Sequence, residues 1–278
     1  MPGFERDGIA LHFEAFGDAG TPAVVLLHAL THDHRMWLPV VGALRDGFHV
    51  IVPDLRGHGL SAAPDAPSAY AVETQAADVH ALLDHLDVEL CALVGSGLGG
   101  VVALEFATRW PERLAGLVIA DSAPAAQSER YDDAFRDWAR CLFSAGETVG
   151  RIGTAGLGRS AAADIRDPFL AEGVRARYRA MSTEGFLGTY RAFNERRDLI
   201  PVLRDLITCP VLLCVGDQDP AAAGTRVTAE ELPGARVVTF KNTGHGVPLL
   251  RPDAFVETIL RFFRDVEEGQ PTGGARSV

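Results

Sequence analysis

Short apolar runs alternate along the chain with longer stretches in which apolar positions recur every three or four residues. Residues 9–16 alternate apolar and polar side chains, the pattern of a half-buried strand, and predict an edge strand. Residues 23–27, 50–52, 91–94, 117–120 and 211–215 are compact and almost uncharged, as strands covered on both faces of a parallel sheet are. Residues 237–240 read as one more. Between these runs, residues 70–86 set Val72, Ala76, Val79, Leu82, Leu83 and Leu86 on one helical stripe. Residues 99–110 form a predicted helix stopped before Pro111, because proline disfavours helical backbone in the residue before it. Residues 254–266 carry Phe255, Ile259, Phe262 and Phe263 on one face of a closing helix. The alternation predicts an α/β protein with a mostly parallel central sheet and helices on both faces.

One stretch departs from this rhythm. Residues 122–203 contain no convincing strand, only helical fragments that Gly146, Gly150, Gly153, Gly156 and Gly158 are expected to split. The simplest organisation is a core of residues 1–121 and 204–266, interrupted by a helical cap at 122–203. The cap would cover the carboxyl ends of the strands, where open α/β sheets bind ligands. Residues 267–278 hold Gly, Pro, Thr and Ser with little apolar content and are expected to be a disordered, frayed end.

Composition narrows the function without naming it. At 278 residues, 47% hydrophobic and 23% charged, the chain has the balance of a soluble globular protein. Its net charge of −11 argues against nucleic acid or an anionic membrane as partner. Cys91, Cys141, Cys209 and Cys214 match neither a disulfide framework nor a zinc pattern. The first residues show no signal peptide, and no apolar stretch reaches the roughly 18–20 residues of a membrane helix. The chain reads as cytoplasmic, with a small molecule as its partner and its oligomeric state open.

The candidate chemistry begins where residues 91–94 run into Gly95-Ser96-Gly97-Leu98-Gly99-Gly100 and then into a helix. This resembles the nucleophile elbow of the α/β-hydrolase fold, a strand, tight turn and helix with small residues two before and two after the nucleophile. With Gly95 and Gly99 as the small flanks, the nucleophile position falls on Gly97. Making Ser96 the nucleophile would put Val94 and Leu98 at the small positions, a poor fit. Gly97 has no side chain, so no acyl-enzyme can form there. Two histories fit: a disabling change in an ordinary hydrolase, or a natural enzyme that never used the serine.

The resemblance extends to the rest of the site. Residues 212–220 resemble the strand end that carries the family's acid, which falls on Asp219; Asp121, at another strand end, is the alternative. Asn242-Thr243-Gly244-His245-Gly246 resembles the loop of the catalytic histidine. Position 97, acid and histidine follow in the family's order. Leu26-Leu27-His28-Ala29-Leu30 resembles the oxyanion loop, with Ala29 where glycine is usual, and implies an oxyanion hole from the N–H groups of Leu30 and Leu98. Residues 53–59 resemble the family's turn after the next strand and read as structural support.

His32 and Trp37 are possible substrate contacts. Their loop, residues 31–37, resembles that of the cofactor-free dioxygenases of this fold, but ordinary hydrolases have a similar loop, and a partly exposed loop with Trp37 packed as an anchor is the favoured reading. In the cap, Trp138, Phe135, Phe143 and Phe186 either line a pocket or form the cap's own core. Across the chain the resemblance is to the esterase and 3-oxoadipate enol-lactonase branch, which implies a small ester or lactone substrate and His245–Asp219 as base and orienter. Natural non-hydrolytic general-base chemistry (oxygenation, lyase, decarboxylase or cyclase) and ligand binding without catalysis are the alternatives.

No cofactor or metal is expected. The histidines show no recognisable metal-ligand spacing. Residues 95–100 fit G-x-G-x-x-G only superficially, because they follow the wrong strand and no ribose-binding acid stands at a strand end about 20 residues on, a neighbourhood that Glu112 and Arg113 fill instead.

Overall fold

A computed structural model describes residues 3–278, the side chains of Leu142 and Phe143 excepted. Its strands are β1 (Gly3–Arg6), β2 (Ile9–Phe16), β3 (Ala23–Leu27), β4 (His49–Pro53), β5 (Cys91–Ser96), β6 (Leu114–Ala120), β7 (Val211–Gly216), β8 (Arg236–Phe240) and β9 (Gly274–Ser277). They form one sheet in the order β1-β2-β4-β3-β5-β6-β7-β8-β9. Pairs β1·β2 and β2·β4 are antiparallel and the others parallel. The helices are α1 (Leu38–Leu44), α2 (Val72–His85), α3 (Leu98–Arg109), α4 (Asp133–Ala161), α5 (Pro168–Ala180), α6 (Thr183–Glu195), α7 (Leu203–Leu206), α8 (Ala222–Glu231), α9 (Val247–Leu250) and α10 (Pro252–Glu267). Among the described residues, no helix is long and apolar enough to cross a membrane.

Both faces of the sheet are buried at its centre, which is why β3, β6 and β7 are apolar throughout. On β3, Val25 and Leu27 join the cluster made with α2 and α3, while Val24 and Leu26 join the cluster made with α1 and α10. Each successive side chain enters a core on the opposite face.

Two expectations at the sheet edges are corrected. Strand β2 is internal, because β1 pairs outside it in a hairpin turned at Asp7 and Gly8, both at positive φ. Asp-Gly is the dipeptide that such turns favour. The end of the chain is ordered: β9 pairs with β8, and Val278 exchanges backbone hydrogen bonds with Thr239 and Lys241. Its sequence, Gly-Ala-Arg-Ser, has no hydrophobic pattern, so backbone pairing alone marks it as a strand.

The residues between β6 and α7 hold the helices α4, α5 and α6 and no strand. Asp132, Asp167 and Ser182 cap their N-termini with side-chain oxygens. Of the glycines expected to split them, only Gly153 does, at φ 69°, ψ 171°. Gly146 and Gly158 stay helical because they admit aromatic neighbours: an added Cβ would lie 2.2 Å from the Tyr190 ring and 2.5 Å from Tyr178 Cβ, respectively. The cap rests on the core through bare backbone. A Cβ on Gly185 of α6 would lie 2.3 Å from the carbonyl oxygen of Gly57.

Candidate active site

The elbow is built by steric necessity. An added Cβ at Gly95 would stand 2.2 Å from the Gly99 carbonyl oxygen, and one at Gly99 would stand 2.1 Å from that of Leu27. Only glycine fits at either place. Between them Gly97 adopts φ 54°, ψ −114°, backbone that strains any residue with a side chain. Its N–H donates to Ala120 O at 3.0 Å, and its carbonyl accepts from Ser122 Oγ at 2.7 Å. A Cβ on residue 97 would point at the imidazole, 4.0 Å from His245 Nε2, and would lie 3.3 Å from Ala29 Cβ. Residue 97 therefore faces the histidine. Ser96 is buried, and among the described residues no hydrogen bond joins it to His245.

His245 stands after β8, where Gly246 at φ 103° turns the chain into α9. Its Nδ1 lies 3.0 Å from both carboxylate oxygens of Asp219, which follows β7. Burial works against the protonated ring, but the hydrogen bond and charge of Asp219, with the Asp121 charge behind them, outweigh it. The His245 pKa is held above the ordinary histidine value. The alternative acid, Asp121, lies in the same cluster, but its Oδ2 accepts the Val247 N–H at 2.8 Å. Burial pushes its carboxyl well up; the His245 charge opposes this and neighbouring Asp219 adds to it. Asp219, and not Asp121, holds the hydrogen bond to the imidazole.

The oxyanion loop is pinned from below. His28 Nδ1 donates to Ala29 O at 2.9 Å, and its Nε2 accepts the Leu55 N–H at 2.9 Å. His58 Nε2 donates to Leu30 O at 2.6 Å. Burial, aided by the His58 charge, pushes His28 down to about 3, so the ring stays neutral and keeps this pattern of one donor and one acceptor. Leu30 and Leu98 both line the cavity, and Leu98, as first residue of α3, has an N–H with no acceptor in its own helix.

That cavity, of about 320 Å³, is where the expected residues meet: Gly97, Leu98, Leu30, His32, Trp138, Asp121 and His245 all line it. Asp219 supports it from behind His245. The Trp138 ring lies 5.1 Å from the His245 ring, centroid to centroid. His32 Nε2 accepts from Arg177 Nη1 at 2.8 Å, tying the core to the cap; burial, with the Arg177 charge, lowers its pKa to about 4. Trp37 is corrected. It is fully buried between the sheet and α10, with its ring 6.2 Å from Phe255, because the short helical turn His34–Trp37 aims it inward. Phe135 lines the cavity and Phe186 packs on Tyr190 in the cap's own core. The Phe143 side chain lies outside the described residues.

Sequence reasoning missed Arg196, which also lines the cavity. It sits in the charge run Glu195-Arg196-Arg197-Asp198, which carries no sign of burial. Among the described residues, two groups bring enough donor atoms together for a cation: Asp121, Asp219 and His245 in the site, and His12, His34 and Asp54 outside it. In both, the imidazoles are already hydrogen-bonded to a carboxylate, at 2.9 Å for His12 and His34 with Asp54. The second group also answers the expectation of no metal spacing, since folding collects residues far apart in sequence.

An elbow at the end of β5, an acid after β7 and a histidine after β8, beneath a helical cap, define the class. The chain belongs to the alpha/beta hydrolase family, whose model matches residues 24–258. It is 29% identical over 219 residues to 3-oxoadipate enol-lactonase 2 of Acinetobacter baylyi, covering 76% of this chain and 77% of that protein. Among solved structures it resembles the enol-lactonase of Burkholderia xenovorans, with a TM-score of 0.76 and 28% identity over 95% of this chain and all of that one. It also resembles an esterase of Thermogutta terrifontis, with a TM-score of 0.78 and 28% identity over 95% and 97% of the two chains.

Proposed function

We propose that the protein hydrolyses a small ester or lactone without forming a covalent intermediate. His245, oriented by Asp219, acts as general base on a water molecule. As the water oxygen bonds to the carbonyl carbon, His245 Nε2 takes its proton, and the N–H groups of Leu30 and Leu98 receive the developing oxyanion. The tetrahedral species collapses with loss of the alcohol oxygen, which takes the proton back from His245. One water is consumed, and one acid and one alcohol group are formed.

The observation that carries this reading is the arrangement over residue 97. An oriented imidazole faces a glycine whose missing side chain leaves room for a substrate or water oxygen. Ala29 strengthens it. Its methyl would crowd a side chain at 97 at 3.3 Å, so two neighbouring residues suit each other, rather than one standing as an isolated loss. The enol-lactonase and esterase relatives support carbonyl hydrolysis as the reaction class.

The test uses p-nitrophenyl acetate and γ-valerolactone with wild type, His245→Ala and Gly97→Ser. Wild type is expected to turn over at least one of them, and His245→Ala to lose about 10²-fold or more of that rate. Gly97→Ser is expected to gain labelling by a fluorophosphonate. If only Gly97→Ser hydrolyses, residue 97 is a disabling change and the non-covalent mechanism falls. Equal rates in wild type and His245→Ala would remove the general base.

A further inference from the structure

Two imidazoles converge on one buried carboxylate outside the catalytic cavity. His12 comes from β2, His34 from the short helical turn His34–Trp37, and Asp54 from the residue that follows β4. His12 Nδ1 lies 2.9 Å from Asp54 Oδ2, and His34 Nδ1 lies 2.9 Å from both Asp54 oxygens. One donor atom of each residue stands within 4.8 Å of the others. His12 and Asp54 are buried, and His34 is mostly so.

The carboxylate does not need the imidazoles to hold it in place. The backbone N–H of His34 donates to Oδ1 at 2.7 Å, and that of Leu60 donates to Oδ2 at 2.9 Å. These bonds fix its orientation and leave a lone pair on each oxygen, turned to an imidazole nitrogen. His12 is the sharper case. Its Nε2 lies 3.2 Å from Glu14 Oε1, so each of its nitrogens faces a carboxylate. A neutral imidazole carries one N–H and can donate to only one of them. When Nε2 donates to Glu14, the Nδ1 lone pair is set against that of Asp54, and a cation between the two relieves the repulsion. A second ring proton would serve there, but a metal ion serves both imidazoles at once. A metal-bound histidine usually gives its outer N–H to a carboxylate or carbonyl, and Glu14 stands in that place. Bonds of about 2.0–2.2 Å put tetrahedral nitrogen and oxygen donors about 3.3 Å apart, so these contacts need to open by only a few tenths of an ångström. The His245 group differs, since its Nε2 faces residue 97 and is needed there as the base.

The geometry points to a structural site for a divalent first-row cation such as Zn²⁺, held by His12 Nδ1, His34 Nδ1 and the carboxylate of Asp54, with Glu14 orienting His12. Two imidazoles disfavour Mg²⁺ and Ca²⁺, which take oxygen donors. Binding displaces the ring protons at Nδ1 to solvent. The ion joins β2, the turn at 34–37 and the end of β4, and so braces the loop that carries Leu30. This assignment is independent of the hydrolytic reading.

The metal alone is the probe. Tag-free protein stripped with dipicolinate is titrated with Zn²⁺ against a chromogenic chelator, and with Co²⁺ for its visible absorption. Wild type is expected to take about one ion per chain, to melt at a higher temperature when loaded, and to show the Co²⁺ bands of a four- or five-coordinate site. His12→Gln and His34→Ala should each lose the ion and the thermal shift. Glu14→Gln should bind about 10–100-fold more weakly. His245→Ala should bind as wild type does. Wild type that takes up no stoichiometric ion overturns the inference, and a proton is then the only cation between the rings and Asp54. An ion retained in both His12→Gln and His34→Ala overturns it too, as does one lost in His245→Ala, which belongs to the catalytic cluster. The wild-type titration needs no variant, so a misfolded His12→Gln or His34→Ala leaves the inference open to refutation.

Discussion

The glycines of the elbow and the glycines of the cap look alike in the sequence and do opposite mechanical work. In the elbow, Gly95 and Gly99 face peptide oxygens 2.2 Å and 2.1 Å from an added Cβ. Those oxygens belong to β3 and α3, and the sheet fixes them. In the cap, Gly146 and Gly188 face the rings of Tyr190 and Tyr70, each 2.2 Å from an added Cβ. A ring can swing; a strand in the middle of a sheet cannot. The base of the site is therefore rigid in the strict sense that no neighbour can give way, while the roof is packed from parts that can adjust. A fixed base is what an oxyanion hole and an oriented imidazole require.

The largest effect should come from breaking the rigid side. Gly99→Ala drives a methyl into Leu27 O, and the expected cost is about 4 kcal/mol or more, because neither backbone can retreat. Loss of soluble folded protein, or a collapse of the urea midpoint, is the measurement. A variant with near wild-type stability would show that the elbow can flex after all. Gly185→Ala tests a place where the cap too meets backbone. Its methyl would meet Gly57 O at 2.3 Å, but here the whole cap can tilt, so the expected cost is about 2 kcal/mol. Proteolysis within residues 133–195 should accelerate while the core stays resistant. Equal loss of core and cap protection would mean that the two unfold together.

The same contrast has an electrostatic form. His28, beneath the elbow, is held neutral with a pKa near 3 by burial first and the His58 charge second. The unfolded chain takes up that proton at about 6.5 and the native state refuses it, so stability falls as pH drops below 6.5. Between pH 6.5 and pH 5 His28 alone should cost about 2 kcal/mol. His245, at the rim, has the opposite sign. Its raised pKa contributes stability that is complete below 6.5 and is lost as pH climbs through the folded value. Denaturant unfolding at pH 5, 6.5 and 8 separates them: His28→Asn should flatten the acid limb, and Asp219→Asn the alkaline one. An acid limb unchanged in His28→Asn would mean that other groups carry it.

The base of the site was legible in the sequence for the reason that makes it rigid. Residues packed against immovable backbone must be small, and strands buried on both faces must be apolar, so Gly95, Gly99 and β3 to β7 leave plain marks. The pairing of Asp219 with His245 was legible through the loops that resemble the family's. The rest failed where the physics is silent in sequence. Strands β1 and β9 are held mainly by backbone hydrogen bonds, which any residue but proline makes. Trp37 lies in the right loop, and only the phase of one helical turn decides whether it faces core or cavity. Arg196 reads as an ordinary surface charge because nothing nearby in the chain announces the cap that buries it. The cap glycines were read as helix breakers, since a glycine that admits a ring has the same letter as one that frees the backbone.

The smallest prediction isolates that last ambiguity. Gly173 lies within α5, and an added Cβ would meet nothing within 4 Å, neither backbone nor ring. With no contact to lose, only the helix propensity remains, and alanine exceeds glycine there by about 0.5–1 kcal/mol. Gly173→Ala should therefore raise stability by up to that amount and leave turnover untouched, as differential scanning calorimetry and the p-nitrophenyl acetate assay would read. Gly146→Ala carries the same propensity gain but must push the Tyr190 ring aside. The difference between these two variants measures what that ring gives up, and a stabilised Gly146→Ala would show that the roof adjusts at no cost. A destabilised Gly173→Ala would mean instead that α5 needs its glycine for a contact the folded chain makes only when the cap moves.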